Sequence, residues 1–349
     1  MTWLPVLPIA AVVCLLWLVP EPTEAAEPEL TWVDAQTLTV EGKGWTATEA
    51  FYDRLPAKAK GVVREPVWNL SRNSAGLCVR FQTTAETLHV KWEVTGGLAM
   101  PHMPATGVSG VDLYAKTDTG WRFVANGRPI APANEATFSP GKAPELCLYL
   151  GLYNTTKSVQ IGVPAGQTVT PAPVRGKPVV FYGTSITQGG CASRPGMAYT
   201  NIVGRKLGVP TINLGFSGNG QSEPEMADLL GEIDASVYVL DALWNMSPDL
   251  VKERIAPFVR KLRAARPDTP ILLAEDCSIR KVPTAKGLIL RDIFAQLQKE
   301  GVTNLYFVSA EGMMGPDDEG TVDGCHATDL GFTYQAKVFT DALRPVLGL

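Results

Sequence analysis

The sequence predicts two domains of different class, an all-β sandwich followed by a doubly wound α/β domain. Three observations carry this. From about Thr31 to about Pro164 apolar residues alternate with polar ones, the period of half-buried strands. Beyond the Pro- and Gly-bearing stretch "VPAGQTVTPAPVRGKP" they gather into short unbroken runs, as parallel strands covered on both faces require. Segments of helical period separate those runs, and strand alternating with helix builds a sheet wrapped on both sides. With 349 residues, 45% of them hydrophobic, the chain can fill both cores.

The elements follow in order. "MTWLPVLPIAAVVCLLWLVP" is apolar from Trp3 to Val19, is broken by Pro5 and Pro8, and leads into the small, polar "EPTEAAEPEL". A membrane span needs about 20 apolar residues, so residues 1–26 read as a secretory signal cut after Ala25 or Ala26. Secretion or a periplasmic location is the expectation, with an uncleaved membrane anchor as the alternative. Lipidation of Cys14 fits poorly, because Val13 is bulky where a small residue is needed.

Residues 27–172 form the expected sandwich. In "TLHVKWEV", Leu88, Val90, Trp92 and Val94 share one face and Thr87, His89, Lys91 and Glu93 the other. "LCVRF" and "ELCLYL" repeat the alternation, and "GVDLYAKTDTGWRFV" reads as a hairpin turning at Asp118 and Gly120. Such strands, with no convincing helix between them, argue for a β-sandwich.

Residues 173–349 form the α/β domain. "PVVFY", "TINLGF", "SVYVL", "PILLA" and "NLYFV" are its strands. In "SPDLVKERIAPFVRKLRAARPD", Val251, Ile255, Phe258, Val259 and Leu262 fall on one helical face, capped by Ser247 or Asp249. "KGLILRDIFAQLQKEG" and "DLGFTYQAKVFTDALRPVL" read the same way. Sites of such sheets lie at the carboxyl ends of the strands, where Ser185, then Ser217 and Gly218, then Asn245 all fall.

Composition excludes some classes. The net charge is -4 and the basic residues are scattered, so no nucleic-acid partner is expected. Removal of the signal leaves Cys78, Cys147, Cys191, Cys277 and Cys325, an odd number in an oxidising compartment. None has the spacing of a structural zinc site, and no metal is expected.

Ser185, in "FYGTSITQGGCASRPG", becomes a nucleophile only with a base. Three histidines exist. His89 lies on the polar face of a strand. His102 lies in "AMPHMPATG", either as plain loop packing or leaning over the cleft, where Met100, Met103 and Trp244 would line a pocket with it. His326, in "DGCHATDLGF", follows the last strand and can reach the rim. Asp323 can hold its Nδ1, giving a Ser-His-Asp triad. Backbone N–H groups of Ser185 and Gly218 and the Asn245 amide would form the oxyanion hole.

Rival readings exist for several positions. Ser185 as a mere turn hydroxyl is the plainer reading of a lone serine. Ser217 does not complete a Gly-x-Ser-x-Gly elbow, since Asn219 takes the last position. Asp329, the competitor of Asp323, reads better as the cap of the final helix. Arg194 either binds a polar substrate or forms an ion pair. A disulfide between Cys191 and Cys325 would fix the two catalytic loops, and Cys78 with Cys147 is the other pairing.

"GTSIT", "GFSGNG", "LWNMSP" and "DGCH" resemble, in order and spacing, the four sequence blocks of the SGNH (GDSL-type) hydrolases. The resemblance covers about Lys177 to Leu349. It implies a flavodoxin-like three-layer α/β/α fold, a catalytic set of Ser185, Gly218, Asn245 and His326, and ester or thioester hydrolysis without metal or cofactor. "RLPAKAKGVVREPVWNLSRNSAGLCVRF" and "SGVDLY" are similar to the jelly-roll-like N-terminal domain with a Gly-x-Asp-Leu-Tyr signature that precedes one branch of these hydrolases. Two departures stand out: Thr184 replaces the common Asp, and Leu-Trp-Asn-Met replaces Gly-x-Asn-Asp around Asn245.

The expected protein is an exported serine esterase that deacylates small or polymeric carbohydrates, O-acetyl groups foremost, and stays out of the membrane once its signal is cut. A lipase or thioesterase for longer chains is the second reading, although no long apolar lid segment is visible. An inactive glycan-binding protein is the third.

Overall fold

The fold is described from a computed structural model over residues 29–279 and 282–349, with Met1; the rest of the expected signal, Cys14 included, lies outside the described residues. Among the described residues ten strands precede position 172: β1 (Leu30–Asp34), β2 (Thr39–Glu41), β3 (Cys78–Thr83), β4 (Leu88–Val94), β5 (Val111–Thr117), β6 (Gly120–Gly127), β7 (Ala133–Phe138), β8 (Leu146–Tyr149), β9 (Thr156–Pro164) and β10 (Val169–Pro171). They form two sheets, β1-β9-β4-β7 and β10-β3-β8-β5-β6 with β2 paired to β3. In β4, Leu88, Val90, Trp92 and Val94 are buried while His89, Lys91 and Glu93 are half-exposed, as alternation requires. Leu77, Val79, Phe81, Leu113, Leu148 and Ile161 fill the space between the sheets. The β5–β6 hairpin turns between Thr117 and Gly120, whose φ of 124° only glycine adopts readily.

The second domain alternates strand and helix: β11 (Val179–Gly183), β12 (Thr211–Gly215), β13 (Val237–Asp241), β14 (Ile271–Ala274) and β15 (Leu305–Val308) are parallel, in the order β12-β11-β13-β14-β15. The chain order reverses direction around β11, so the crevice beyond its carboxyl end is the natural ligand position. Among the described residues the short helices α1 (Glu65–Ser71) and α2 (Ala105–Val108) belong to the first half, and α3 (Ser185–Gln188), α4 (Tyr199–Leu207), α5 (Pro224–Glu232), α6 (Pro248–Ala265), α7 (Ala285–Lys299) and α8 (Asp329–Val346) to the second. One sheet face carries Val180 and Tyr182 against α5 and α6, and the other carries Val179 and Phe181 against α4 and α8. Ser247 caps α6 by accepting from the Leu250 N–H. The cap of α8 is Thr328 rather than Asp329, because Asp329 is turned to the Ser193 N–H and hydroxyl. Among the described residues no helix is long and apolar enough to cross a membrane.

Helices α1 and α2 depart from the strand-only reading of the first half. Both are short, and α1 lies outside the sandwich: Leu55, Val63, Val67 and Trp68 share a core with Ile212, Leu214, Met226 and Leu230 of the α/β domain. The Arg54 guanidinium, fully buried, donates to the carbonyls of Asn213 (3.1 Å) and Gly215 (2.7 Å) in β12 and to those of Leu70 and Asn73 in its own segment. Burial lowers its pKa to about 9.

Candidate active site

Strand β11 is buried along its whole length and delivers the chain to Thr184, whose hydroxyl accepts from the Ile186 N–H and caps α3. Threonine thus performs here the capping that the commoner aspartate would. Ser185 is the first residue of that helix and is 6% exposed. Its carbonyl accepts from the Gly190 N–H (2.7 Å), the Gly189 N–H (3.0 Å) and the Tyr153 hydroxyl of the first domain (3.1 Å). Three donors on one carbonyl hold the serine in place.

The Ser185 hydroxyl lies 2.8 Å from His326 Nε2, and His326 Nδ1 lies 2.8 Å from Asp323 Oδ2. The histidine loop closes on itself: Asp323 Oδ1 accepts from the N–H groups of Cys325 (3.0 Å) and His326 (2.7 Å), and the His326 carbonyl accepts from the Val322 N–H and the Thr321 hydroxyl. Burial works to raise the Asp323 pKa, but the His326 ring and those two N–H groups outweigh it and hold the carboxyl below its ordinary value. It remains ionised beside the imidazole.

A second loop runs beside the serine. Gly218 has φ of 70°, and Gly220 presses so closely on the Gly183 carbonyl that any side chain there would collide with it. The Gly220 N–H donates to Asn245 Oδ1 at 3.2 Å, which fixes the amide and leaves Nδ2 without a partner among the described residues. The N–H groups of Ser185 and Gly218 are likewise unengaged there. Arg64, at the start of α1, donates to the side chain and carbonyl of Asn219 and pairs with Glu223, so the first domain also steadies this loop.

Two families match the chain. The GDSL-like Lipase/Acylhydrolase family matches residues 176–344, and GxDLY, the N-terminus of the SGNH hydro-type esterase, matches residues 30–169. A crystal structure of a GDSL-like lipase from Bacteroides ovatus is 35% identical, with a TM-score of 0.86 over 92% of this chain and 98% of that one. The chain belongs to the GDSL-like lipase/acylhydrolase family. Two more distant structures share the fold of this GDSL-type acylhydrolase. The salicylyl-acyltransferase SsfX3 from a tetracycline biosynthetic pathway is 18% identical, with a TM-score of 0.75 over 92% of this chain and 98% of its own. The acetyl xylan esterase Est2A of the rumen bacterium Butyrivibrio proteoclasticus is 13% identical, with a TM-score of 0.58 over 91% and 99%. No curated protein matches.

The remaining candidate residues of this GDSL-type acylhydrolase divide between the cleft and the domain boundary. His102 is exposed, with its ring 6.2 Å from that of His326. Trp244 is half-buried, donates from Nε1 to the Cys277 carbonyl at 2.7 Å, and carries the Lys286 ammonium 4.8 Å from its ring. Arg194 takes the ion-pair course: it donates to Asp112 (2.8 Å) and Tyr114 (2.7 Å) across the domain boundary and stacks on Phe123 at 3.8 Å. Those contacts turn it away from a substrate role. Cys191 and Cys325 are both free thiols, so the bridge expected between the catalytic loops is not formed. Burial, helped by the Asp323 charge, pushes each up to about 11, which keeps both protonated and unreactive. Cys78 and Cys147 are free as well, packed together with Tyr114 and Tyr149.

Sequence reading missed the boundary residues. Asp112 and Tyr114 of the Gly-x-Asp-Leu-Tyr signature sit on the outer face of β5, where Asp112 accepts from Arg194, the Gly196 N–H and Asn126. Arg205 lies 4.0 Å over the Tyr114 ring. An aspartate on the outer face of a strand carries no signal until another domain covers it. Tyr153 and Arg64 were equally silent, since their partners lie on the other domain.

Proposed function

We propose that this acylhydrolase is an exported serine esterase that removes acyl groups, O-acetyl foremost, from carbohydrate hydroxyls. The observation that carries the mechanism is the unbroken line from the Ser185 hydroxyl through the His326 ring to Asp323, with 2.8 Å at each junction. His326 Nε2 takes the proton as Ser185 attacks the ester carbonyl, and the ionised Asp323 stabilises the imidazolium that results. The oxyanion of the tetrahedral intermediate takes hydrogen bonds from the Ser185 and Gly218 N–H groups and Asn245 Nδ2. Collapse expels the alcohol with the proton held by His326. Water then attacks the acyl-enzyme by the same route in reverse.

The carbohydrate part is supported by the apolar stretch from Trp3 to Val19, read as an export signal, and by the shared fold of a protein whose name gives acetyl xylan as substrate. The test is hydrolysis of p-nitrophenyl acetate by purified protein, followed by an acetate-release screen on acetylated polysaccharides. Ser185→Ala is expected to lower turnover at least about a thousandfold. Undiminished activity in that variant would refute the mechanism. Labelling of Ser185 by a fluorophosphonate separates this reading from an inert glycan-binding protein, which would not react.

One observation favours a larger acyl group. A groove of about 430 Å³ is lined by Trp244 and Met246, the two chain neighbours of Asn245, and by Pro248, Asp276, Thr284, Ala285 and Lys286. A series of p-nitrophenyl esters distinguishes the readings, because preference for octanoate over acetate would assign that groove to a long chain.

A further inference from the structure

We propose that His102, carried by the first domain, recognises the alcohol half of the ester by hydrogen bonding to a hydroxyl group next to the scissile bond. The inference rests on the esterase reading above and adds the chemical class of the leaving group.

Of the three histidines, two are engaged. His89 faces the Thr137 hydroxyl and Glu135, and His326 lies between Ser185 and Asp323. His102 has no hydrogen-bond partner among the described residues, although its ring stands 6.2 Å from the catalytic one. No hydrogen bond joins the two rings. At that distance a substituent of a substrate bound at one ring can reach the other.

The backbone that carries the imidazole is anchored beside the site. It lies at the tip of a tight hairpin closed by two backbone bonds, Met100 N–H to the Met103 carbonyl (3.0 Å) and Met103 N–H to the Met100 carbonyl (3.1 Å). Met103, 2% exposed, is sunk into the α/β core beside Ala192, and the Thr106 hydroxyl donates to the Ser193 carbonyl at 2.6 Å. The hairpin is therefore anchored to the loop that follows the nucleophile. The backbone under His102 is thus fixed while its ring nitrogens stay open to a ligand.

Mechanism fixes which half of the substrate lies nearby. His326 returns its proton to the departing oxygen, so the alcohol half must sit against the catalytic imidazole. A neutral imidazole offers one donor and one acceptor, which suits a hydroxyl that is itself both. Sugars carry such a hydroxyl on the carbon next to the ester, whereas p-nitrophenol does not.

The experiment compares kcat/KM of wild type, His102→Ala and His102→Gln, all full-length, on a monoacetylated methyl xyloside and on p-nitrophenyl acetate. His102→Ala is expected to lower the sugar value about 5- to 10-fold, the effect of one lost neutral hydrogen bond, while p-nitrophenyl acetate stays within about twofold. His102→Gln should recover part of the sugar activity, since its amide also donates and accepts. Equal loss on both esters, or no loss on the sugar ester, overturns the proposal. Failure of the esterase reading appears separately, as wild-type protein with no Ser185-dependent hydrolysis of p-nitrophenyl acetate.

Discussion

At Asn245 the Gly220 N–H engages the amide oxygen and leaves the amide nitrogen to donate, so the residue is fixed before substrate arrives. Replacement by alanine removes the donor proposed for the oxyanion, and on that reading turnover on p-nitrophenyl acetate should fall about 100- to 1000-fold with KM little changed. Asp323 has a stricter task. Its Oδ1 accepts two N–H groups, so in Asp323→Asn the amide oxygen must face the backbone and the NH₂ must face His326. That arrangement forces the wrong ring tautomer on the Ser185 side, and kcat should drop by about ten-thousandfold with folding intact by circular dichroism. These side chains were legible in the sequence because each belongs to a short block whose chemistry is local. Arg194 was not, because whether it meets a substrate or a carboxylate depends on Asp112, a residue of the other domain. Cys191 and Cys325 stay unbridged for a related reason: nearness of two loops does not set the geometry that a disulfide needs. Cys325→Ala should keep near-wild-type hydrolysis, and intact mass should not change on reduction.

Helix α3 has four residues and depends on its cap. Thr184→Ala should cost about 1 kcal/mol of stability in urea unfolding, and more in turnover because Ser185 is the next residue. Beneath α3, Asp241 at the end of β13 accepts from the Thr187 and Tyr199 hydroxyls. Burial, with the charge of Asp276 adding to it, raises its pKa to about 7 against those two donors. In the folded state it therefore keeps its proton over a range where the unfolded chain has lost it, so stability declines as pH climbs from about 4 to about 7. Asp241→Asn does not titrate, and its melting temperature should gain on wild type between about pH 5 and about pH 8. A constant difference across that range would contradict the raised pKa. Strands and long helices such as β4 and α6 were readable because their periodicity reflects burial against their own domain. Helix α1 escaped notice since its apolar residues face the partner domain, and Thr328 took the cap expected of Asp329 because Asp329 is drawn to Ser193.

The two domains meet through polar clamps as well as apolar packing. Asp112 is fully buried and Arg194 largely so, and removing one member strands the other. Asp112→Ala should lower unfolding free energy by about 3 kcal/mol, read by urea denaturation, and loosen the loop after Ser185. The two-class architecture was visible from the change of period near position 170, yet nothing in that pattern tells that the segment from Arg54 to Ala75 would leave its own half. Arg54 satisfies carbonyls of β12, and Leu55, Val63 and Trp68 cover the sheet face beside α5. A recombinant fragment starting near Lys177 would therefore lack part of its own floor and precipitate or bind hydrophobic dyes. Anyone grafting a foreign catalytic half behind this sandwich must transplant that strap to suit the recipient, so the pair is inherited as one piece.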